Sequence, residues 1–199
     1  MTPPLVLGVL GSGKGSNYAA IAQAIDAGAL NARVALVASD VPGAGILRLA
    51  EQHGAAVFTM PPGRFKSKLE PEHEHALAQR LHDAGVELVV LAGFMRLLKE
   101  PLITAFPRRI INIHPSLLPQ FPGLAAWQQA LDAGETETGC TVHYVDLGMD
   151  TGPVIAQARV PVLPEDTADT LHARIQQAEH TLYPQVIADL AARRATFLA

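Results

Sequence analysis

Leu5-Val6-Leu7-Gly8-Val9-Leu10-Gly11-Ser12-Gly13-Lys14-Gly15-Ser16-Asn17 reads as an unbroken apolar run, a glycine-rich loop and the first turn of a helix rich in Ala and Ile. An apolar run without polar alternation suits a strand buried on both faces, as in a parallel sheet. The pattern recurs along the chain. Apolar runs near 5–10, 34–38, 56–60, 88–92 and 110–114 alternate with helix-like stretches near 16–27, 43–53 and 68–84. That rhythm specifies βαβ units, and so an α/β, Rossmann-like fold with a mostly parallel twisted sheet and helices on both faces.

After Pro119 the character changes. Residues 124–133 look helical, and 141–145 and 154–160 read as two strands flanking Asp150. These are expected to form an antiparallel addition near the carboxyl-terminal part, with the carboxylate on its connecting loop. Thr167 is placed to cap a last long helix with Leu171, Ile175, Leu182 and Val186 on one side, which Pro184 should bend or interrupt. With 199 residues, 49% of them hydrophobic, the chain can bury one proper core and is expected to form a single domain over 1–199. The connection 61–66 is expected to be the most mobile one.

Two segments carry the chemistry: Ile111-Asn112-Ile113-His114-Pro115-Ser116-Leu117-Leu118-Pro119 and Asp146-Leu147-Gly148-Met149-Asp150-Thr151-Gly152-Pro153. Alternation in an extended strand puts Asn112 and His114 on one face at the carboxyl end of the fifth run. Open α/β sheets bind ligands at that edge. Attack of a neutral amine on a carbonyl carbon builds negative charge on oxygen and requires the amine to lose a proton. An amide N–H from Asn112 answers the first need, and an imidazole from His114 the second. A nearby Asp150 is expected to favour the charged ring and raise its pKa. The plainer reading makes His114 a hydrogen-bonded strand end and Asn112 a turn residue.

The first loop is an anion site in outline, because glycines let the backbone approach and free N–H groups at the helix start point at a phosphate. It lacks the spacing of a Walker loop, and its third glycine comes one position early for a dinucleotide fingerprint. Asp40, at the end of the second run, stands where a ribose-binding acid would in a dinucleotide site. A plain tight turn is the remaining alternative. A single phosphate suits the loop best.

A net charge of −4 gives no basic stripe for a nucleic acid, and Arg108-Arg109 and Arg193-Arg194 read as solvated pairs. Cys140 is the single cysteine, which excludes an internal disulfide and fits a reducing cytoplasm; it reads as a small core residue. His143, in the same alternating strand, is within range of Cys140 or of the site, but its neighbourhood carries no catalytic signature. No apolar stretch reaches membrane-spanning length, and Met1-Thr2-Pro3-Pro4 has no positive flank of a signal peptide. Glu70-Pro71-Glu72-His73-Glu74-His75 invites a metal reading. Side chains two apart do not share a helical face, however, and a solvated first turn explains the acids, so no metal is expected.

Asn112-Ile113-His114-Pro115-Ser116-Leu117-Leu118-Pro119, a later Asp150 with Gly152-Pro153-Val154-Ile155, and Leu91-Ala92-Gly93-Phe94-Met95-Arg96 resemble the folate-dependent formyltransferases, from about Leu5 to Ile187. The resemblance implies the formyltransferase fold and 10-formyltetrahydrofolate as formyl donor. It also implies a catalytic trio of Asn112, His114 and Asp150. The acceptor it implies is the amino group of 5-phosphoribosylglycinamide in purine synthesis. Relatives acting on methionyl-tRNA carry an extra carboxy-terminal domain, and formylfolate hydrolases an amino-terminal one, so the length favours the small acceptor.

By the same resemblance, Gly15, Ser16 and Asn17 hold the acceptor phosphate, and Glu179 is a candidate for its ribose hydroxyls. Met95, Arg96, Leu97 and Leu98 line the pterin slot, with Arg96 near the glutamate tail and Lys68 where the family has another tail-binding cation. Asp146, Leu147, Gly148, Met149 and Asp150 match the loop on the pterin's other side, and Asn112 also faces the folate. Read alone, Met95, Leu97 and Leu98 are ordinary core and Arg96 a surface cation. Lys14 and Ala125-Ala126-Trp127 depart from the pattern, the latter where relatives usually have a His. The expectation is a monomeric or homodimeric cytoplasmic enzyme with small-molecule substrates, and no nucleic-acid or membrane partner. A formyltetrahydrofolate hydrolase and a non-catalytic phosphoribosyl-binding module are the alternatives.

Overall fold

The computed structural model of the protein describes residues 3–61 and 63–197. Met1 and Thr2 of the amino-terminal reading and Pro62 of the 61–66 connection lie outside the described residues. The chain runs β1 (Leu5–Leu10), α1 (Ser16–Asp26), β2 (Ala32–Ser39), α2 (Gly45–Gln52), β3 (Ala56–Thr59), α3 (Pro71–Asp83) and β4 (Leu88–Leu91). It continues α4 (Glu100–Ala105), β5 (Ile110–His114), α5 (Ala126–Asp132), β6 (Glu137–Tyr144), β7 (Val154–Pro161), α6 (Ala168–Ala192) and α7 (Arg194–Phe197). The strands form one sheet in the order β3-β2-β1-β4-β5-β6-β7. Pairing is parallel from β3 to β5 and antiparallel for β5·β6 and β6·β7. The antiparallel addition expected around Asp150 is therefore present, and β6 begins at Glu137, earlier than the alternation indicates.

Burial explains the strand assignments. All residues of β1 and β4 are buried, as central strands covered on both faces must be. One apolar layer packs Leu5, Leu7 and Val9 with α1, α2 and α6; the other packs Leu10, Val89 and Ile110 with α3 and α4. Alternation puts Asn112 and His114 on the face of Ile110. Strand order reverses between β1 and its two neighbours β2 and β4, so the loops after β1 and β4 stand on either side of the switch point.

Gly15 shows why the first loop needs its glycine: φ is +87°, and a Cβ there would lie 2.8 Å from the Ile46 Cα at the start of α2. α4, which the sequence reading passed over, is short; Pro101 in its first turn is the signal that marks it. Its N-terminus receives Glu74 from α3, whose carboxylate accepts from Lys99 N at 2.8 Å and Leu102 N at 3.2 Å. Glu74 is fully buried and Glu70 is 5% exposed, so these acids are not the solvated first turn expected of them. Glu70 instead takes the Arg64 N–H and lies 3.3 Å from His73. Burial raises the Glu74 carboxyl, against the pull of the N–H groups it caps.

Of the two outcomes expected of Pro184, a bend or a break, the break does not occur: α6 is continuous from Ala168 to Ala192. Pro184 removes one N–H, at about 3 kcal/mol in a helix interior, but Tyr183, Val186 and Ile187 around it are buried against the sheet and hold the helix through. Thr167 caps the helix as expected, exchanging hydrogen bonds with Thr170. Leu171, Ile175 and Val186 are buried, and Leu182 packs partly buried beside them. Arg194 is not a solvated cation either, since it is ion-paired with Glu87, which also accepts from Val6 N.

Tyr183 ties this helix to the strand ends that carry the site: its hydroxyl lies 2.9 Å from Leu91 O on β4 and 3.1 Å from Ile111 O on β5, fully buried. Tyr183→Phe leaves those carbonyls short of a donor and is expected to lower unfolding free energy by about 1–2 kcal/mol at unchanged m value, measured by urea denaturation.

Candidate active site

β5 ends at His114, and β6 runs antiparallel beside it, pairing Asn112 with His143 and His114 with Thr141. Residues opposite in an antiparallel pair share a face, so both histidines and Asn112 project to the same side. The β6–β7 connection then returns Asp150 between them. Its Oδ2 is 3.4 Å from His114 Nδ1, its Oδ1 is 3.6 Å from His143 Nε2, and Gly123 N donates to Oδ2 at 2.9 Å. Asn112 Nδ2 lies 3.2 Å from His143 Nε2. The structure thus gathers Asn112, His114 and Asp150, and adds His143, to which the sequence reading gave no catalytic role. Its signal was the register: β6 must pair with β5 for Asp150 to reach His114, and that pairing sets His143 opposite Asn112.

The backbone around this set is strained. Among the described residues four non-glycines have positive φ, and three of them, Phe121 (52°), Ala125 (52°) and Asp150 (57°), belong to the loops that close on His114. Phe121 turns its carbonyl to His114 Nε2 at 2.9 Å, while Ser116 Oγ donates to Gln120 O at 2.6 Å within the same turn. Thr141 secures the segment after His114, donating to Ser116 O at 2.6 Å and accepting from Leu118 N at 3.0 Å.

Both ring nitrogens of His114 therefore face acceptors, the Phe121 carbonyl and the Asp150 carboxylate, an arrangement that the doubly protonated ring satisfies fully. Burial works the other way. His114 is 4% exposed, and desolvation outweighs the upward pull of Asp150 and of the Phe121 carbonyl, so its pKa lies below the ordinary histidine value. The expectation that Asp150 raises the ring's pKa is corrected in its net sign, although Asp150 does pull in that direction. Burial also pushes the Asp150 carboxyl up, but His143, the Gly123 N–H and the charge of His114 prevail and hold it below the usual carboxylate value. The site thus sets a carboxylate that stays ionised beside a ring that enters neutral and can take up a proton.

The first loop supplies a second cluster. Gly15, Ser16 and Asn17 form the start of α1, where backbone N–H groups lack helical partners. Asn17 Nδ2 donates to Glu179 Oε2 at 2.9 Å, joining α1 to α6, and burial raises the Glu179 carboxyl against that hydrogen bond. Asn17 Oδ1 is buried with no hydrogen-bond partner.

Met95, Arg96, Leu97 and Leu98 follow β4 across the switch point. Met95 N donates to Ser12 Oγ at 3.0 Å, so this segment touches the first loop. Leu98 is buried and Met95 is 59% exposed. Arg96 turns inward: its Nε donates to Asp40 Oδ2 at 2.7 Å, and Ser12 Oγ donates to Asp40 Oδ1 at 2.6 Å. Asp40 is thus engaged by Arg96 and Ser12 rather than offered to a ribose, and Arg96 serves as a strut between loops. Lys68 bridges to Leu97 in parallel, with its ammonium over the Phe65 ring at 4.5 Å. Asp146 accepts from Gly148 N and Thr151 Oγ1 at 3.0 and 2.8 Å, stapling the loop that presents Leu147 and Met149 as exposed apolar side chains.

Trp127 stacks on His172 of α6 with centroids 3.7 Å apart, which anchors α5. Cys140 is fully buried, and burial together with Glu179 pushes its thiol up to about 12, as befits a core residue. Among the described residues no group of three or more His, Cys, Asp and Glu side chains is arranged to hold a metal ion. No helix among them is long and apolar enough to cross a membrane.

Comparison with known proteins matches residues 6–187 to the formyl transferase family model. Phosphoribosylglycinamide formyltransferase of Bacillus subtilis is 44% identical over 92% of this chain and 92% of its own. Trifunctional purine biosynthetic protein adenosine-3 of Drosophila pseudoobscura pseudoobscura is 48% identical over 92% of this chain, which spans 13% of that protein's length. The crystal structure of glycinamide ribonucleotide transformylase 1 from Symbiobacterium toebii superposes with a TM-score of 0.92 at 47% identity, covering 98% of this chain and 91% of its own.

Asp150→Asn keeps a side chain that tolerates positive φ while removing the charge that favours the imidazolium. The His114 pKa, followed by NMR titration of its ring, is expected to fall further below the wild-type value. An unchanged or higher value would remove Asp150 from the ring's electrostatics.

Proposed function

The chain belongs to the formyl transferase family, and from that premise we propose that it transfers the formyl group of 10-formyltetrahydrofolate to the amino group of 5-phosphoribosylglycinamide, a step of purine biosynthesis. One observation carries the proposal: the contiguous Asn112–His143–Asp150–His114 set at the carboxyl end of β5, in a sheet whose first loop presents a helix N-terminus suited to a phosphate.

In this reading the acceptor phosphate lies on the N–H groups of Gly15, Ser16 and Asn17, with Glu179 toward the ribose. The folate lies between Met95–Leu98 and Asp146–Asp150, where exposed Met95, Leu147 and Met149 offer apolar surface to a flat ring. Arg96, held by Asp40, lies toward the glutamate tail of the folate, with Lys68 as the second cation for it. The amine attacks the formyl carbon, a C–N bond forms, and the bond from that carbon to folate N10 breaks. Asn112 donates to the oxygen as it gains charge, a contribution of roughly 2.7–4 kcal/mol for one such donor. His114, neutral beforehand, takes the proton that the amine loses while Asp150 steadies the imidazolium. The same proton ends on N10, giving tetrahydrofolate.

The reading takes 1–199 as one formyltransferase domain acting on small molecules without a metal, in the cytoplasm, as a monomer or homodimer. It is tested by incubating the protein with 10-formyltetrahydrofolate, with and without 5-phosphoribosylglycinamide. Folate deformylation that depends on the acceptor and yields formylated ribonucleotide is expected. Formate released without acceptor would replace the transferase with a hydrolase, and binding without turnover would leave a phosphoribosyl-binding module.

His114→Ala should lower kcat by about 10²- to 10⁴-fold, the range for a positioned acid–base group, while both KM values stay within about threefold. A folded variant of full activity would remove His114 from the chemistry.

A further inference from the structure

His143 is 2% exposed, and its hydrogen bonds define which ring nitrogen carries the proton. Nδ1 lies 2.8 Å from the Tyr144 carbonyl, an oxygen that only accepts, so the hydrogen sits on Nδ1. In the neutral ring Nε2 then offers a lone pair. The group facing it at 3.2 Å is the Asn112 amide, and a lone pair is met favourably only by the amide's N–H side. Were the amide turned over, its oxygen would confront the Nε2 lone pair. Were Nε2 protonated, the amide would have to turn its oxygen to the ring, which is the arrangement that the neutral ring disfavours. Asp150 Oδ1 lies 3.6 Å from Nε2, farther than the Asn112 amide, and draws on the ring only when that nitrogen carries a proton.

We propose that His143 is a positioning residue: its Tyr144-bound neutral tautomer holds the Asn112 amide in one orientation, so that the second amide N–H is presented to the developing oxyanion. The proposal rests on the role of Asn112 given above. An Asn at a strand end otherwise has two amide orientations of similar shape, of which one offers the site an acceptor where charge is forming. The latch runs backbone carbonyl to imidazole to amide, and the antiparallel pairing of Asn112 with His143 builds it. It makes the β5–β6 register a catalytic dimension as well as a structural one.

Removing one oxyanion donor costs about 10²- to 10³-fold, so a donor left free to turn should cost a fraction of that. His143→Leu, of comparable volume but without an acceptor, is expected to lower kcat about 10- to 100-fold with KM for both substrates within about threefold. His143→Gln, whose amide oxygen can accept from Asn112, should recover most of the loss. In an Asn112→Ala background His143→Leu should cost less than about twofold more, because the group it orients is gone. A purely structural His143 would cost as much in that background as in the wild type, and that result overturns the proposal.

The ring tautomer is read without turnover from long-range proton–nitrogen correlation spectra of the wild-type protein. A protonated Nδ1 with an unprotonated Nε2 is expected, and the opposite pattern overturns the latch even if His143→Leu fails to fold. A wild-type protein that transfers no formyl group would overturn the functional reading instead, leaving the tautomer to decide the latch.

Discussion

The carboxylate of Asp150 is the contact on which the site depends. It sits on a connection between two antiparallel strands, in a backbone conformation that costs a non-glycine residue about 1–3 kcal/mol, and it meets His114, His143 and the Gly123 N–H at once. Each partner comes from a different part of the chain: His114 from the end of β5, His143 from β6, Gly123 from the turn before α5. The order in which the sheet is built, with β6 and β7 returning antiparallel beside β5, allows one carboxylate to reach all of them.

That convergence sets the electrostatics. A buried histidine alone would resist charge, and a buried carboxylate alone would take up a proton. Together the carboxylate stays ionised, while the ring's pKa is lowered less than burial alone would lower it. The strain at Phe121 and Asp150 belongs to the same device, because these positive-φ positions present the Phe121 carbonyl and the Asp150 carboxylate to the two nitrogens of one imidazole. Behind it, Tyr183 joins the ends of β4 and β5, and Arg96 with Asp40 and Ser12 fixes the loops across the switch point. The loop proposed for the phosphate and the segment proposed for the folate are thus held in one frame.

Much of this was legible in the chain. The apolar runs name β1 to β5, most cleanly for β1 and β4, which are buried on both faces and leave no polar alternation, and β1 and β5 match to the residue. Asn112, His114 and Asp150 were legible because they sit in long motifs. His143 was not, since its importance comes from register, a relation between strands that no local pattern writes. Glu74 and Glu70 were misread for a related reason: an acid in a charged run looks solvated until the N-terminus of α4 or the Arg64 N–H is seen to receive it. The His114 pKa went wrong in net sign because a sequence shows the neighbouring charge but not the depth of burial. Pro184 was overrated because local cost is visible in a sequence and tertiary compensation is not.

The most direct measurement is a crystal structure of the protein with 5-phosphoribosylglycinamide and a folate analogue that carries no transferable formyl group. The account predicts the phosphate on the Gly15–Asn17 amides and the acceptor amine facing folate N10 beside Asn112 and His114. The Asn112 N–H that is not given to His143 should point into the gap between them. A phosphate held elsewhere, or reacting nitrogens out of reach of His114, would contradict it.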